Sequence, residues 1–402
     1  MRATATSQAW GDVALLDLVT IKSGQVDPRE AAYRGLPLIA PDHIASGTGR
    51  LIKRESAAAQ GAISGKYLVR PGDVIYSKIR PYLQKAYKCD FDALCSADMY
   101  PLTPRRNADS SFILHTLLGH DFTNFAVSVS ARSGIPKINR EELAEYRMRV
   151  PSGAEQREIG LALDDADQLI DTLERLIAKK QAIKQGMMQQ LLTGKTRLPG
   201  FTEPWREATV GGLTDQHRRT VDPRQDRERR FQHFSLPAFD DGEVPITEPG
   251  SAIDSIKFVV PAGSVLVSKL NPRIPRIWAP DGIGDNVIAS TEFVVLTPRP
   301  GTDRSYLKWL MKSDAVVSRM KLLATGTTGS HARIHPRQVA ALETRVPSEP
   351  EQVAIAALLD SADREVTLVR RRLTKARAIK QGMVQQLLTG RTRLPVNDEV
   401  AA

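Results

Sequence analysis

Only two cysteines, Cys89 and Cys95, occur in 402 residues. They are too few for a disulfide framework, and neither sits in the CxxC spacing of a structural zinc site. Packing in a reducing compartment is their expected role. The seven histidines are scattered without HExxH or His/Cys ligand spacing. His115 and His120 stand five apart, do not share a helix face well, and are expected on a helix surface or in the core. No stretch of eighteen or more apolar residues is present to span a bilayer, and MRATATSQAWGDV at the start lacks the apolar run of a signal peptide. The expected location is the cytoplasm. Acidic residues are also short: 46 Asp and Glu face 56 Lys and Arg, a net charge of +10 and a pI near 9.6 that favour polyanionic partners.

Catalytic signatures are missing as well. Gly194-Lys195-Thr196 resembles the end of a P-loop, but Gln189 stands where the earlier glycine is needed. Asn271-Pro272-Arg273-Ile274 has neither the second proline nor the aromatic with which an adenine methyltransferase motif would hold a flipped base. Pro280-Asp281 with Glu292 hints at a nuclease carboxylate pair, but Val294 occupies the position where that motif wants lysine. A turn carrying basic residues and a strand position account for these two segments.

What is present is a duplication. AIKQGMMQQLLTGKTRLP at Ala182–Pro199 returns as AIKQGMVQQLLTGRTRLP at Ala378–Pro395. The longer segments Arg149–Pro199 and Arg345–Pro395 align without a gap and match at 29 of 51 positions. Both open with RVPS and continue with EQ, Glu155-Gln156 and Glu351-Gln352. Apolar residues then recur in steps of four and three: Ile159, Leu163, Ala166, Ile170, Leu173, Ile177, and Ile355, Leu359, Ala362, Val366, Val369, Leu373, Ala376. That period predicts a long helix with one narrow seam in each copy, about 57 Å at 1.5 Å per residue. Pro151 and Pro347 precede the helices, and Gly194 and Gly390 mark their ends. Acids come early and bases late in both, so an antiparallel pair sets opposite charges face to face. Gly186 and Gly382 lie inside the helices at a cost of about 1 kcal/mol each. Beside Met187 and Met383, they suggest close helix approach or a partner's docking surface.

The intervening regions repeat more weakly. YLVRPGDVIYSKIRP, Tyr67–Pro81, resembles FVVPAGSVLVSKLNP, Phe258–Pro272. SADMYPLTP answers STEFVVLTP, matching Asp98 to Glu292, and SGIPKIN, Ser133–Asn139, answers TGSHARIH, Thr328–His335. Short β-rich runs between Gly/Pro turns, with helical stretches nearby, predict mixed α/β domains within an α+β architecture. The expected organisation is a variable domain over 1–150, a helical region over 151–199, a second variable domain over 200–346 and a second helical region over 347–402.

With these motifs in this order, the chain resembles the specificity subunits of Type I restriction-modification systems over essentially its full length. The resemblance implies two target recognition domains, each reading half of a bipartite sequence in double-stranded DNA. It implies a helix pair that fixes the gap and helps dock two modification subunits, with two restriction subunits where the system has them. S-adenosylmethionine, and ATP with magnesium for restriction, would belong to those partners, leaving this chain without cofactor or catalytic group. A free-standing bivalent DNA-binding protein shares the same features and is the alternative; it would bind tightly without partners.

Phosphate contacts need Lys or Arg, and base edges favour Arg, Lys, Asn and Gln. The candidate DNA-contacting residues are Lys78, Arg80, Lys85, Lys88, Arg132 and Lys137 in the first domain, and Lys269, Arg273, Arg276, His331 and Arg333 in the second. The basic run RRTVDPRQDRERR, Arg218–Arg230, reads either as a mobile DNA-facing loop or as a solvated linker. The seam residues Ile159, Leu163, Ile170, Leu173, Ile177, Ile355, Leu359, Val366, Val369 and Leu373, with Gly186, Met187, Gly382 and Met383, are the candidates for helix pairing and subunit docking.

Overall fold

The structure, a computed structural model, describes residues 10–130, 134–281, 284–326 and 331–395. The chain divides into two compact units, Met1–Arg175 with Arg371–Ala402, and Leu176–Arg370. Each unit takes its helical part from both copies of the repeat.

In the first unit, strand Gly11–Ala14 pairs antiparallel with Arg147–Val150, which leads through Pro151 into the long helix Gly153–Leu191. A four-stranded antiparallel sheet follows in the order Val19–Ile21, Met99–Pro104, Val74–Ser77, Ala86–Lys88. Its central strand Val74–Ser77 is buried throughout, as a run of VIYS between two neighbours requires. A smaller mixed sheet orders Leu38–Ile39, Ala93–Cys95 and Tyr67–Val69. Cys89 and Cys95 are buried free thiols, in keeping with a packing role. Helix Ser110–Leu118, N-capped by the Asp109 carboxylate, supplies Phe112, Ile113 and Leu117 to a core that also holds Ile159 and Leu163 of the long helix.

The second unit repeats this plan. Arg206–Thr209 pairs with Glu343–Val346 ahead of Pro347 and the long helix Glu349–Leu387. The four-stranded sheet runs Thr214–His217, Phe293–Pro298, Val265–Ser268, Ile277–Trp278. The second sheet has grown to five strands, with Thr220–Val221 on one edge and Ile246–Pro249 on the other. The basic run Arg218–Arg230 contributes to that growth at its two ends and is otherwise an exposed connection through the short turn Pro223–Gln225. Thr220–Val221 is in the sheet, Arg229 and Arg227 carbonyls accept from Gly250 and Ser251, and Arg230 opens strand Arg230–Phe234.

The long helices are 39 residues each. Within each unit they run antiparallel. In the first, Lys380 pairs with Asp167 (2.6 Å) and Arg377 with Glu174 (2.7 Å). In the second, Lys184 pairs with Asp363 (2.6 Å) and Lys180 with Glu365 (2.5 Å). Early acids face late bases, as the charge order requires. Ile159, Leu163, Leu173, Ile355, Leu359, Val366, Val369, Leu373 and Ala376 are buried; Ile170, Ile177, Met187 and Met383 are half-buried, and Met188 is buried at a position the seam did not include. A Cβ built on Gly186 or Gly382 meets nothing within 4 Å, so these glycines do not mark a close helix approach.

The repeated flanks explain each other. Glu155, 2% exposed, receives Arg393 from the other copy's TRLP tail through two bonds of 2.6 Å. Glu351, 1% exposed, receives Arg197 at 2.6 and 2.7 Å. Gln156 and Gln352 bridge the strand that enters the helix to the turn capping the next one, taking N–H bonds from Asp109 and Asp303 and donating to Pro151 and Pro347 carbonyls. Gly194 and Gly390 adopt φ of +70° at the helix ends; a Cβ on Gly390 would press on the Trp10 ring at 3.1 Å, and one on Gly194 would touch the Trp205 ring at an ordinary 3.4 Å.

Candidate nucleic-acid interface

Both units build one loop in the same way. In the first, strand Val74–Ser77 ends where Ser77 Oγ donates to the Ile79 carbonyl (3.0 Å). The chain turns through Arg80 in the left-handed region, φ +50°, into the short turn Pro81–Leu83. Arg80 N–H then donates to Pro136 O (2.8 Å), Ile138 N–H to Lys78 O (2.9 Å), and Ile79 bridges Lys137. In the second, Ser268 Oγ donates to Leu270 O (3.0 Å) and Asn271 takes φ +48°. Asn271 N–H donates to Ala332 O (2.7 Å), Ile334 N–H to Lys269 O (3.0 Å), and Leu270 bridges Arg333. Within the weakly matching SGIPKIN and TGSHARIH, residues 136–138 and 332–334 therefore form a strap across the loop in each unit.

The loops gather part of the nominated set. Arg80 and Lys137 are exposed on the first, and Lys78 sits half-buried with its ammonium 5.7 Å from the Tyr100 ring centre. On the second, Arg273 and His331 are exposed and Arg333 reaches Glu292 at 3.2 and 3.4 Å. Lys269 lies half-buried beside them; burial pushes its ammonium down from its ordinary value, partly offset by Glu292. Tyr82 and Ile135 on the first loop and Ile274 on the second are exposed apolar side chains that charge-based reading passed over. Arg132 lies outside the described residues.

Three nominated cations have partners within the chain. The Lys88 ammonium donates to Asp164 of the long helix (2.6 Å), where Ser111 Oγ also donates and His115 Nε2 lies 2.9 Å away. Burial alone would raise the Asp164 carboxyl, yet the bonds from His115, Lys88 and Ser111 together hold it well below the usual carboxylate range. His115 is thus a core histidine. In the second unit Asp360 takes the same place, receiving Lys308 and the Trp309 indole N–H. Arg276, 11% exposed, makes a two-pronged pair with Asp240 at 2.7 and 2.8 Å. Lys85 is tethered to the Pro41 carbonyl at 2.6 Å.

A cleft of about 710 Å³ in the first unit is lined by Arg50, Asp171, Glu174, Arg377 and Lys380. Arg50 there clamps the sheet-bearing part of the unit to the helix through Asp171 (2.6 Å) and Glu174 (2.7 Å). Among the described residues no group of three His, Cys, Asp or Glu side chains is placed to hold a metal, and no helix is long and apolar enough to cross a membrane.

Residues 8–185 match the model of the Type I restriction modification DNA specificity domain. The chain is 34% identical over 168 residues to the specificity subunit of the Type I restriction enzyme EcoDI of Escherichia coli, covering 42% of this chain and 37% of that one. It is 22% identical over 293 residues to the MjaVIII specificity subunit of Methanocaldococcus jannaschii, 67% of this chain and 68% of that one. The first alignment thus spans well under half the length of that relative. Two solved structures share the fold across 96% of the chain. One is a Type I restriction-modification S subunit from M. genitalium, with a TM-score of 0.62, 13% identity and 98% of that chain covered. The other comes from work on complex assembly of the type I R-M system, with a TM-score of 0.53, 20% identity and 100% covered.

Proposed function

We infer that the chain belongs to the specificity-subunit family of Type I restriction-modification systems, and from that premise propose that it reads a bipartite sequence in duplex DNA, one half-site per compact unit. The observation that carries this is the repeated loop: its strap, its left-handed turn and its flanking cations recur in both units, while its tip is Arg80-Pro81-Tyr82 in one and Asn271-Pro272-Arg273 in the other. A constant scaffold with different tips suits two different half-sites.

The long helices are assigned two tasks, setting the gap between half-sites and docking two modification subunits. Support for docking comes from apolar side chains left outside the seam. Leu161, Leu169 and Ile379 in the first unit, and Ile183, Leu358 and Leu368 in the second, are 42 to 57% exposed. The docked subunits, acting in the cytoplasm, would bring S-adenosylmethionine and methylate adenine, with restriction subunits adding ATP-dependent cleavage where present. This chain supplies the address and no reacting group.

A single-molecule methylation map of host DNA with and without the gene tests the proposal. Loss of N6-methyladenine from one bipartite motif with a fixed gap is the expected result. An unchanged map, together with no enriched motif when the purified chain selects from random duplexes, would overturn it.

A further inference from the structure

A carboxylate stands beside the cationic loop in both units, and the DNA-reading function proposed above gives it no task. Asp98 follows strand Ala93–Cys95, and Glu292 follows Val287–Ser290. Each is fixed by the same pair of backbone bonds. Asp98 N–H donates to Ser96 Oγ (3.2 Å) and its carbonyl accepts from Lys78 N–H (3.0 Å). Glu292 N–H donates to Ser290 Oγ (3.2 Å) and its carbonyl accepts from Lys269 N–H (2.8 Å).

A carboxylate on a phosphate-facing surface opposes binding unless it meets a hydrogen-bond donor. Bracing a neighbouring cation does not account for the pair. The Glu292–Arg333 contacts, 3.2 and 3.4 Å, exceed the 2.7–2.9 Å of a committed charge-assisted bond. The Asp98 carboxylate is exposed and makes no ion pair among the described residues. In the major groove the donors within reach of an acceptor-only group are the exocyclic amino groups, N4 of cytosine and N6 of adenine; guanine O6 and thymine O4 repel it.

We propose that Asp98 and Glu292 are base-reading acceptors, each taking a hydrogen bond from the exocyclic amino group of a cytosine or adenine in the half-site of its own unit. Cations of the adjoining loop, Lys78 and Arg80 in one unit and Lys269 and Arg333 in the other, hold the phosphates while the carboxylate selects the base. Arg333 contacts both oxygens of Glu292, at 3.2 and 3.4 Å, and these long bonds orient the carboxylate while each oxygen keeps a lone pair for a further donor.

Selection from random duplexes with the full chain, its Asp98→Ala, Glu292→Ala and Arg333→Ala variants, and titration of a non-specific duplex at several salt concentrations test this. Asp98→Ala should relax one letter of one half-site, from a preference of roughly tenfold or more to under twofold, and Glu292→Ala one letter of the other. The relaxed letter identifies the base as cytosine or adenine. Affinity for the non-specific duplex should hold or rise for both, because a negative charge has gone. Arg333→Ala should instead weaken binding to every sequence and lower the salt slope by about one. Thermal melting checks that each variant is folded, and Glu292→Met, which keeps the length without an acceptor oxygen, replaces Glu292→Ala where it is not. Unchanged letters in both carboxylate variants, or a Glu292 variant that behaves like Arg333→Ala, would overturn the inference with the DNA-reading function intact. A wild-type chain that enriches no motif would remove that function itself.

Discussion

Lys88 and Lys137 are the same residue type in the same domain, and their surroundings give them opposite work. Lys137 is exposed on the loop strap, whereas Lys88 helps close the ring around Asp164 with His115 and Ser111. Lys137→Ala should therefore weaken DNA binding across sequences and lower the salt slope by about one with the melting temperature unchanged. Lys88→Ala should lower the melting temperature and leave the slope alone. Asp164→Asn strips the ring of its charge and should cost about 1–3 kcal/mol in urea denaturation at neutral pH. The pH dependence follows in sign. The folded Asp164 carboxyl is held below its unfolded value of 3.8, so its contribution is complete above that value and is lost as pH falls from there through the folded pKa. The gap between wild type and Asp164→Asn should accordingly narrow below pH 3.8. None of this was legible in the sequence, where Lys78, Lys85, Lys88 and Lys137 were equal as cations. What sorted them was the position of carboxylates and carbonyls 40 to 80 residues away, such as Pro41 for Lys85 and Asp164 for Lys88.

The long helices were far more legible, because their stabilising contacts follow a local period. Steps of four and three placed Ile159, Leu163, Leu173, Val366 and Leu373 in the seam, and the charge order gave the antiparallel direction. The flanking EQ and TRLP motifs were visible as repeats, but their pairing was not, since Glu155 and Arg393 are 238 residues apart. That pair now carries a prediction for the element. The carboxylate is buried and its partner partly exposed, so Glu155→Ala leaves Arg393 without its anchor and opens the helix start to water. A loss of about 3 kcal/mol is expected from chemical denaturation. Adding Arg393→Ala should cost little more, and the non-additivity of the double-mutant cycle measures the pair itself. Glu351 with Arg197 should behave the same way in the second unit, and hydrogen exchange should show each lesion confined to its own unit.

At the scale of the molecule, the first unit is completed by Arg371–Ala402, and that segment has a near-copy earlier in the chain. Residues 175–199 match 371–395 at 18 of 25 positions. The matches include Lys184 for Lys380, the partner of Asp167, and Arg197 for Arg393, the partner of Glu155. A chain cut after Gly200 thus carries a substitute for the segment it has lost. It cannot use it on itself: Gly153–Leu191 is one continuous helix, and folding its second half back on its first would break backbone hydrogen bonds in the middle. The substitute is available only to a second copy. Residues 1–200 should therefore form a dimer in which each subunit's Asp167 and Glu155 receive Lys184 and Arg197 of the other, an exchange closed by twofold symmetry. Light scattering should give twice the chain mass, and Asp167→Lys should weaken the dimer because Lys184 then meets like charge. Selection from random duplexes adds a second reading. Two identical recognition domains should enrich an inverted repeat of the half-site read by the first unit, whereas a monomeric fragment would show that the seven substitutions between the two tails decide the pairing.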